Sequence, residues 1–228
     1  MNIDELISKG IDYISVFIAL TVVLSFHEFA HAFAAVKNGD VTPKLYGRYT
    51  LNPIAHFDPI GLLCFVFLRF GWAKPVPVNP QNFKNYKRGC FTVAIAGVLM
   101  NYLMAFVIYP LCRLAKLYVP DLLYFDDVLI ISLFYMISMS LSFAVFNFLP
   151  FYPLDGFRVV DSLAKKRGKV YWFLRNYGTY VLYGLFALSI ISDITGIWQL
   201  DVLELVMRPV INIISIPITA FWGLFFNG

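Results

Sequence analysis

Residues 11 to 36 read IDYISVFIALTVVLSFHEFAHAFAAV, and this stretch decides the fold. It contains no Lys or Arg, and its only acidic residue outside the word HEFAH at 27–31 is Asp12. An apolar run of this length can cross the hydrocarbon core of a bilayer, which is about 30 Å thick. An ionisable side chain at that depth costs on the order of 2.5 kcal/mol or more and by default marks a function. The stretch therefore predicts a membrane span that carries a functional site.

The rest of the chain extends this pattern. Of its 228 residues, 60% are hydrophobic and 18% aromatic, more than a soluble core requires. Residues 60–72 are apolar but too short to span. Longer apolar runs occur at about 90–119, 128–150, 170–192 and 202–226. We predict an all-α polytopic membrane protein with about five to six transmembrane helices. We expect a single membrane-embedded domain over 1–228, with a core at about 11–160 and accessory spans at about 170–226.

A cleaved signal peptide is the alternative interpretation of the first run. Residues 13–26 resemble the apolar region of a signal, and residues 32–34 resemble a cleavage site. A signal begins with basic residues, whereas this chain begins with Asp4 and Glu5 against a single Lys9. The charge pattern therefore favours a retained span.

The charged loops predict how the chain threads the membrane. Loops 37–90 and 156–170 are rich in Lys and Arg, whereas 120–127 and 193–205 contain only acidic charges. Because basic loops stay on the cytoplasmic side, we expect the N-terminus outside the cell membrane and the HEFAH end of the first span toward the cytoplasm. The basic cluster at 165–169 lacks the aromatic residues of a nucleic-acid site, so no nucleic-acid partner is expected.

The segment between the first two core spans differs from the rest. Six X-Pro pairs punctuate residues 38–85, which indicates turns and short extended pieces. Within it, Leu62–Trp72 is densely apolar and Ala73–Val78 has alternating, Pro-punctuated character. Irregular backbone at membrane depth is tolerated only beside protein or a wet cavity. We therefore expect a short re-entrant or extended segment against the bundle.

The word HEFAH has the spacing of a metal site. His27 and His31 are i and i+4, so a helix projects both imidazoles from one face toward one ion. Glu28 is turned by about 100° and can act as general base on a water, the H-E-x-x-H arrangement. A buried His pair without metal is the alternative. Since two of the chain's three histidines flank this glutamate, we predict one zinc per chain.

A catalytic zinc usually has three protein ligands, and two candidates exist for the third. Asp155 lies in NFLPFYPLDG at 147–156, at the end of the run 128–150. The threading places it at the same membrane level as HEFAH. Its alternative role is to cap a helix that begins near Phe157. His56 is the other candidate, although its turn-rich segment also suits a surface or substrate-side role.

The two motifs together resemble those of the site-2 protease family, the intramembrane zinc metalloproteases. H-E-x-x-H is followed by N-x-x-P-x-x-P-L-D-G, matched at its Asn, Pro, Leu, Asp and Gly positions. LNPIAHFDPIG at 51–61 and GWAKPVPVNPQNF at 71–83 resemble the compact bacterial and archaeal branch that lacks a PDZ domain. The resemblance runs from about residue 20 to 160.

The resemblance implies roles for individual residues. It implies Glu28 as catalytic base and a single-span membrane protein as substrate. Because a transmembrane helix hides its peptide bonds, such a substrate must unwind, and we expect the extended piece Trp72–Val78 to hold it by strand addition. Asn101 and Asn147 match polar residues beside the family's active site, where an amide binds substrate or oxyanion. A polar bridge between helices is the alternative for both. Val98 stands where the family usually has proline. The zinc ligands it implies are His27, His31 and Asp155.

Two functions of other classes remain open. An ion transporter would need further charges within its spans, and the runs 90–119 and 170–192 contain basic residues only near their ends. A non-catalytic zinc-binding membrane adaptor would not need Glu28 beside the histidines. Both alternatives therefore explain less of the sequence than peptide hydrolysis does.

Overall fold

The computed structural model describes residues 3–61, 64, 73–119 and 125–226. Its described part has no β-strand, only an isolated antiparallel bridge between Phe57 and Ala73. Three short 3-10 turns lie at Pro53–Ala55, Pro80–Asn82 and Trp198–Leu200. The helices are α1 (Ile3–Lys37), α2 (Thr42–Leu45), α3 (Tyr86–Tyr118), α4 (Phe125–Phe148), α5 (Asp155–Leu163), α6 (Lys169–Thr195) and α7 (Val202–Phe226).

Five of the described helices, α1, α3, α4, α6 and α7, are long and apolar enough to cross a membrane. They coincide with the five apolar runs of the sequence. Helices α6 and α7 expose large apolar side chains such as Ile213, whose exposed fraction is 65%. A soluble monomer rarely exposes continuous apolar surface, whereas a bilayer accommodates it. The prediction of an all-α polytopic membrane protein is confirmed.

Helices α1, α3 and α4 form the core of the bundle. Ser15, in the first half of α1, donates to the carbonyl of Val128 near the start of α4 at 3.3 Å. Val23 packs against Met104 and Ile108 of α3. Ala35, farther along α1, packs instead near the beginning of α3. Helices α1 and α4 are therefore parallel and α3 is antiparallel to them, so the carboxyl ends of α1 and α4 lie at the same end of the bundle.

The join between α4 and α5 brings Asp155 back to that end. Helix α5 begins at Asp155 itself, and Leu154 is its N-cap without a side-chain capping bond. The alternative in which Asp155 caps a helix starting near Phe157 is therefore wrong. A methyl group at Gly156 would overlap the carbonyls of Phe148 and Leu149. Glycine is needed there because α5 starts directly against the end of α4.

Two anchors hold the extended segment between α1 and α3. At one end the amide of Lys74 donates to the carbonyl of His56 at 2.8 Å. At the other end the fully buried Asp40 carboxylate accepts from the Asn79 amide at 2.7 Å and from the Asn82 side chain at 2.8 Å. Residues 74–79 have no regular secondary structure between these anchors. The predicted apolar piece Leu62–Trp72 lies outside the described residues, except for Cys64.

The charge of Asp40 strengthens the second anchor. Burial raises the pKa of its carboxyl, but hydrogen bonds from Thr42, Asn82 and Asn79 outweigh burial and hold the pKa below its usual value. Since the pKa is lowered on folding, the anchor contributes fully above the unfolded pKa of about 3.9. Its contribution is lost as the pH falls through the folded pKa.

We predict that Asp40→Ala will loosen residues 73–83 without unfolding the bundle. Loss of the buried carboxylate removes several hydrogen bonds and lowers the local opening free energy by about 1–3 kcal/mol. Hydrogen exchange at pH 7 should show faster exchange in this segment and unchanged exchange in α3. Asp58→Ala is the matched control, because the Asp58 carboxylate accepts from the neighbouring amides of Ile60 and Gly61. Equal exchange in both variants would contradict the anchor.

Candidate metal centre

Three buried side chains from two parts of the chain meet at the common end of α1 and α4. Asp155 Oδ2 lies 3.0 Å from His31 Nε2 and 3.4 Å from His27 Nε2. The two Nε2 atoms are 3.1 Å apart. All three residues are at most 6% exposed. Within the described residues they form a group able to hold a metal ion.

The spacing of these atoms fits zinc. A tetrahedral ion with bonds of about 2.0–2.1 Å places its ligand atoms about 3.3 Å apart. The three observed separations of 3.0, 3.1 and 3.4 Å lie close to that value. Two imidazoles and one carboxylate also form a donor set that zinc prefers. The residues present therefore fit the metal by both distance and chemistry.

The hydrogen bond of His31 orients its ring for this role. His31 Nδ1 lies 2.8 Å from the carbonyl of Val93 in α3. A carbonyl only accepts, so Nδ1 carries the proton and Nε2 of the neutral ring presents its lone pair to the group. Metal-binding histidines usually donate the N–H of the second ring nitrogen to such an acceptor.

Asn101 of α3 takes the corresponding place beside His27. Its side-chain amide is fully buried and lies 3.1 Å from His27 Nδ1. The contacting atom as placed is Nδ2, a donor, while Oδ1 is buried without a partner among the described residues. Turning the amide by 180° pairs Oδ1 with the ring, so that Asn101 accepts the Nδ1 proton and leaves Nε2 free as a ligand. This contact favours the interpretation of Asn101 as a polar bridge between helices, and its role in binding substrate stays a prediction.

The buried carboxylate completes the argument for a cation. Asp155 Oδ2 has no hydrogen-bond donor among the described residues, although it is buried. It faces the Nε2 atoms of two imidazoles. His31 carries its ring proton on Nδ1, away from Asp155, and His27 does the same when the Asn101 amide oxygen faces it. Three lone pairs that face one another in a buried group are costly unless a cation lies between them. A bound metal removes that cost.

Gly97 allows α3 to approach the two histidines. A methyl group at this position would overlap both the His27 and the His31 ring. Val93, Gly97 and Asn101 lie on the same face of α3, at i, i+4 and i+8. One face of α3 therefore supplies the clearance and both ring contacts. Sequence reasoning did not single out Gly97 or Val93, because only the helix pairing shows what each faces.

Glu28 lies on the wall of a cavity that contains this group. The cavity has a volume of about 130 Å³. Glu28 is partly buried, and its Oε2 accepts the backbone N–H of Val76 at 3.1 Å. The extended segment that Asp40 anchors therefore covers the site and touches the predicted base. The lining residues are His27, Glu28, His31, Pro75, Val76, Asn147, Pro153, Leu154, Asp155 and Arg158.

Two further polar residues line the cavity, and the sequence predicts only one of them as a site residue. Asn147, predicted beside the site, is placed there with its amide donating to the Phe143 carbonyl at 3.1 Å. Arg158 belongs to the basic loop 156–170, which predicts only the side of the membrane on which that loop lies. In the structure it lines the cavity, with its guanidinium 3.8 Å from Asp155 Oδ1. The sequence could have predicted this, because Arg158 is three residues after Asp155 and therefore lies on the same face of a helix.

His56 does not join the metal group of the described residues. It is fully buried, which excludes the surface role, and its Nε2 donates to the Thr50 carbonyl at 2.8 Å. Its own carbonyl holds Lys74 at the start of the extended segment. The structure therefore places His56 at an anchor of that segment, and Asp155 is the third member of the metal group.

Comparison with known proteins places the chain in a family. No family model matches it, and no solved structure gives a significant match. A protein of Bacillus subtilis (strain 168) named "Putative zinc metalloprotease YwhC" is 39% identical over 150 residues, which are 64% of this chain and 68% of that protein. The chain therefore belongs to the family of this Bacillus protein.

We predict that Gly97→Ala will strongly reduce zinc binding, because the added methyl group displaces both histidine rings. Gly184→Ala is the matched control: it adds the same group to an apolar helix, where nothing lies within 4 Å. Elemental analysis of purified protein should show at least a tenfold loss of zinc for Gly97→Ala only. Full zinc content in both variants would show that α3 does not set the ligand geometry.

We also predict that Asn101→Ala will weaken zinc affinity by about 10–100-fold, the usual effect of losing a ligand's hydrogen-bond partner. Asn101→Asp keeps an acceptor for His27 Nδ1 and should lose less. Competition with a chromogenic chelator measures both affinities. An alanine variant with wild-type affinity would contradict the orienting role.

Proposed function

We propose that this chain is an intramembrane zinc metalloprotease of the site-2 protease type, which hydrolyses a peptide bond of a single-span membrane protein. The observation that carries the proposal is the zinc-like spacing of His27, His31 and Asp155 beside Glu28, within a bundle of apolar helices. The name of the Bacillus relative supports a zinc metalloprotease. The reaction inside the bilayer is the further step proposed here.

In this proposal His27, His31 and Asp155 hold one zinc ion per chain. When bound, zinc supplies Lewis-acid chemistry, acidifying a water and polarising a carbonyl. The Val93 carbonyl keeps His31 in the ligating tautomer, and Asn101 does the same for His27 with its amide oxygen turned to the ring. Burial of all three ligands also excludes competing solvent from their side of the site.

Glu28 moves the proton. One carboxylate oxygen, Oε2, accepts the Val76 amide, so in this proposal Oε1 is the oxygen that meets the water. The carboxylate accepts a proton from the attacking water and passes it to the leaving amine. The Val76 hydrogen bond fixes the orientation of the base, so the extended segment assists the reaction.

The substrate must unwind to expose a peptide bond, because a transmembrane helix uses its own backbone groups. Residues 74–79 have no regular secondary structure, and Pro75 and Val76 line the cavity, which supports strand addition as the way this segment holds an unwound substrate. Asn147 lines the cavity, and in this proposal its amide donates to the substrate backbone or the oxyanion. Water would reach this cavity from the cytoplasmic side, with the N-terminus outside the cell membrane.

The alternative functions account for fewer of these observations. The described parts of α3, α4, α6 and α7 bury Asn and Ser but no Asp, Glu, Lys, Arg or His, so they offer no ion path. A zinc-binding adaptor has no use for a carboxylate held beside the metal group by a backbone amide. We propose that the catalytic unit is one membrane-embedded domain, and that its only partners in the reaction are the bilayer and the protein substrate.

We predict that Glu28→Gln will lower cleavage of a reconstituted single-span substrate by about 10²–10⁴-fold, the usual contribution of a general base. It should retain zinc, whereas Asp155→Ala should lose both zinc and activity. Glu204→Gln is the matched control, because Glu204 is on the exposed surface of α7 and pairs only with Arg208 among the salt bridges of the described residues. Wild-type turnover by Glu28→Gln would disprove the assignment of the base.

A further inference from the structure

A second cavity, of about 430 Å³, adjoins the cavity of the metal group. The two share His27, Glu28, Asn147, Pro153 and Leu154 in their walls. The two cavities are therefore neighbours on either side of this shared wall, which is polar toward the metal group. Apolar residues line the far end, which we call the apolar subsite: Leu24 of α1, Phe143 and Phe146 of α4, and Leu182 and Phe186 of α6.

The walls of the apolar subsite are preformed. The rings of Phe146 and Phe186 pack with their centroids 5.6 Å apart, which joins α4 to α6. Thr179 of α6 donates to the carbonyl of Tyr152 at 3.3 Å, and the Tyr152 amide donates to the α6 carbonyl of Leu174 at 3.2 Å. Because Tyr152 lies just before Asp155, these bonds fix the distance from the apolar wall to the metal group.

The distance from the apolar subsite to the metal end corresponds to the reach of one substrate side chain. Leu24 lies one helical turn before Glu28 on α1, and Phe143 lies one turn before Asn147 on α4. One turn is about 5.4 Å. Successive residues of an extended chain advance about 3.3 Å, and their side chains reach outward from it. A side chain that flanks the scissile bond therefore reaches the apolar subsite while its carbonyl lies at the metal end.

We infer that the apolar subsite receives one bulky apolar side chain of the substrate, at a position that flanks the scissile bond. The inference rests on the proposed protease activity and names its substrate class: single-span segments with a residue such as Phe or Leu at this position. Leu182, at 4% exposure, and Phe186 are the residues that set the size of the side chain accepted. Among the described lining residues the charged or ionisable partners are Glu28 and His27 at the metal end, so a charged side chain in the apolar subsite would be left without a partner.

The size of the expected selectivity follows from apolar pockets in general. One methylene more or less in such a pocket changes kcat/KM by about 10–200-fold. A wild-type enzyme should therefore cleave a substrate with Phe at the flanking position at least tenfold better than one with Ala. This ratio is independent of how much active enzyme a preparation contains.

The test uses purified full chain with a single-span substrate in liposomes. Mass spectrometry locates the cleaved bond, and each residue within three positions of it is changed in turn to Ala, Leu, Phe and Trp. Leu182→Trp fills the subsite and should reduce the Phe-to-Ala ratio at one position at least tenfold while the Ala substrate is still cleaved. Phe186→Ala enlarges the subsite and should shift preference from Phe toward Trp.

The matched control is Tyr180→Trp, on the same helix. Tyr180 is 70% exposed and lies outside the lining of the cavity. It should leave the ratio unchanged, and zinc content is measured for every variant. Leu182→Trp should decrease the size of the side chain accepted, and Phe186→Ala should increase it. Either variant alone therefore tests the subsite if the other folds poorly.

Three outcomes separate the inference from the proposed function. Shifts in opposite directions at one substrate position support both. Cleavage with a wild-type Phe-to-Ala ratio below tenfold at every position, or with ratios that neither variant changes, overturns the subsite. Absence of any cleavage by zinc-loaded wild type overturns the protease activity and the subsite with it.

Discussion

The structure depends on bringing two imidazole nitrogens and one carboxylate oxygen within 3.0–3.4 Å of one another away from solvent. Each of these atoms carries a lone pair, and a low-dielectric interior makes their mutual repulsion costly. A divalent cation turns the same arrangement into a stable one. The folded bundle therefore has to supply rigid helices on both sides of the group, since loops could not hold three repelling atoms together.

That requirement accounts for the arrangement of the core helices. Parallel α1 and α4 bring HEFAH and the Asp155 turn to one end, and antiparallel α3 packs against them closely enough to contact both rings. Gly97 makes this approach possible, and Gly156 lets α5 start against the end of α4. The extended segment completes the site, because Asp40 and His56 anchor its ends and its Val76 amide reaches Glu28.

The spans and the metal group could be predicted from sequence because they depend on length and periodicity. Apolar runs of sufficient length specify spans, and the i, i+4 spacing of His27 and His31 specifies a shared face. Asp155 remained one of two candidates until the resemblance was considered, since a ligand from a distant helix leaves no local pattern. The structure joins Asp155, and not His56, to the pair. The clearance at Gly97 and the Val76 contact depend on tertiary packing and have no periodic signal.

The most direct test of the account is zinc-dependent cleavage in a defined bilayer. Purified chain is stripped with a chelator, reloaded with one equivalent of zinc, and combined with a single-span substrate in liposomes. The account predicts that reloading restores hydrolysis and that mass spectrometry places the cut inside the substrate's apolar segment. Hydrolysis that persists in the stripped protein, or a cut confined to the water-exposed parts of the substrate, would contradict it.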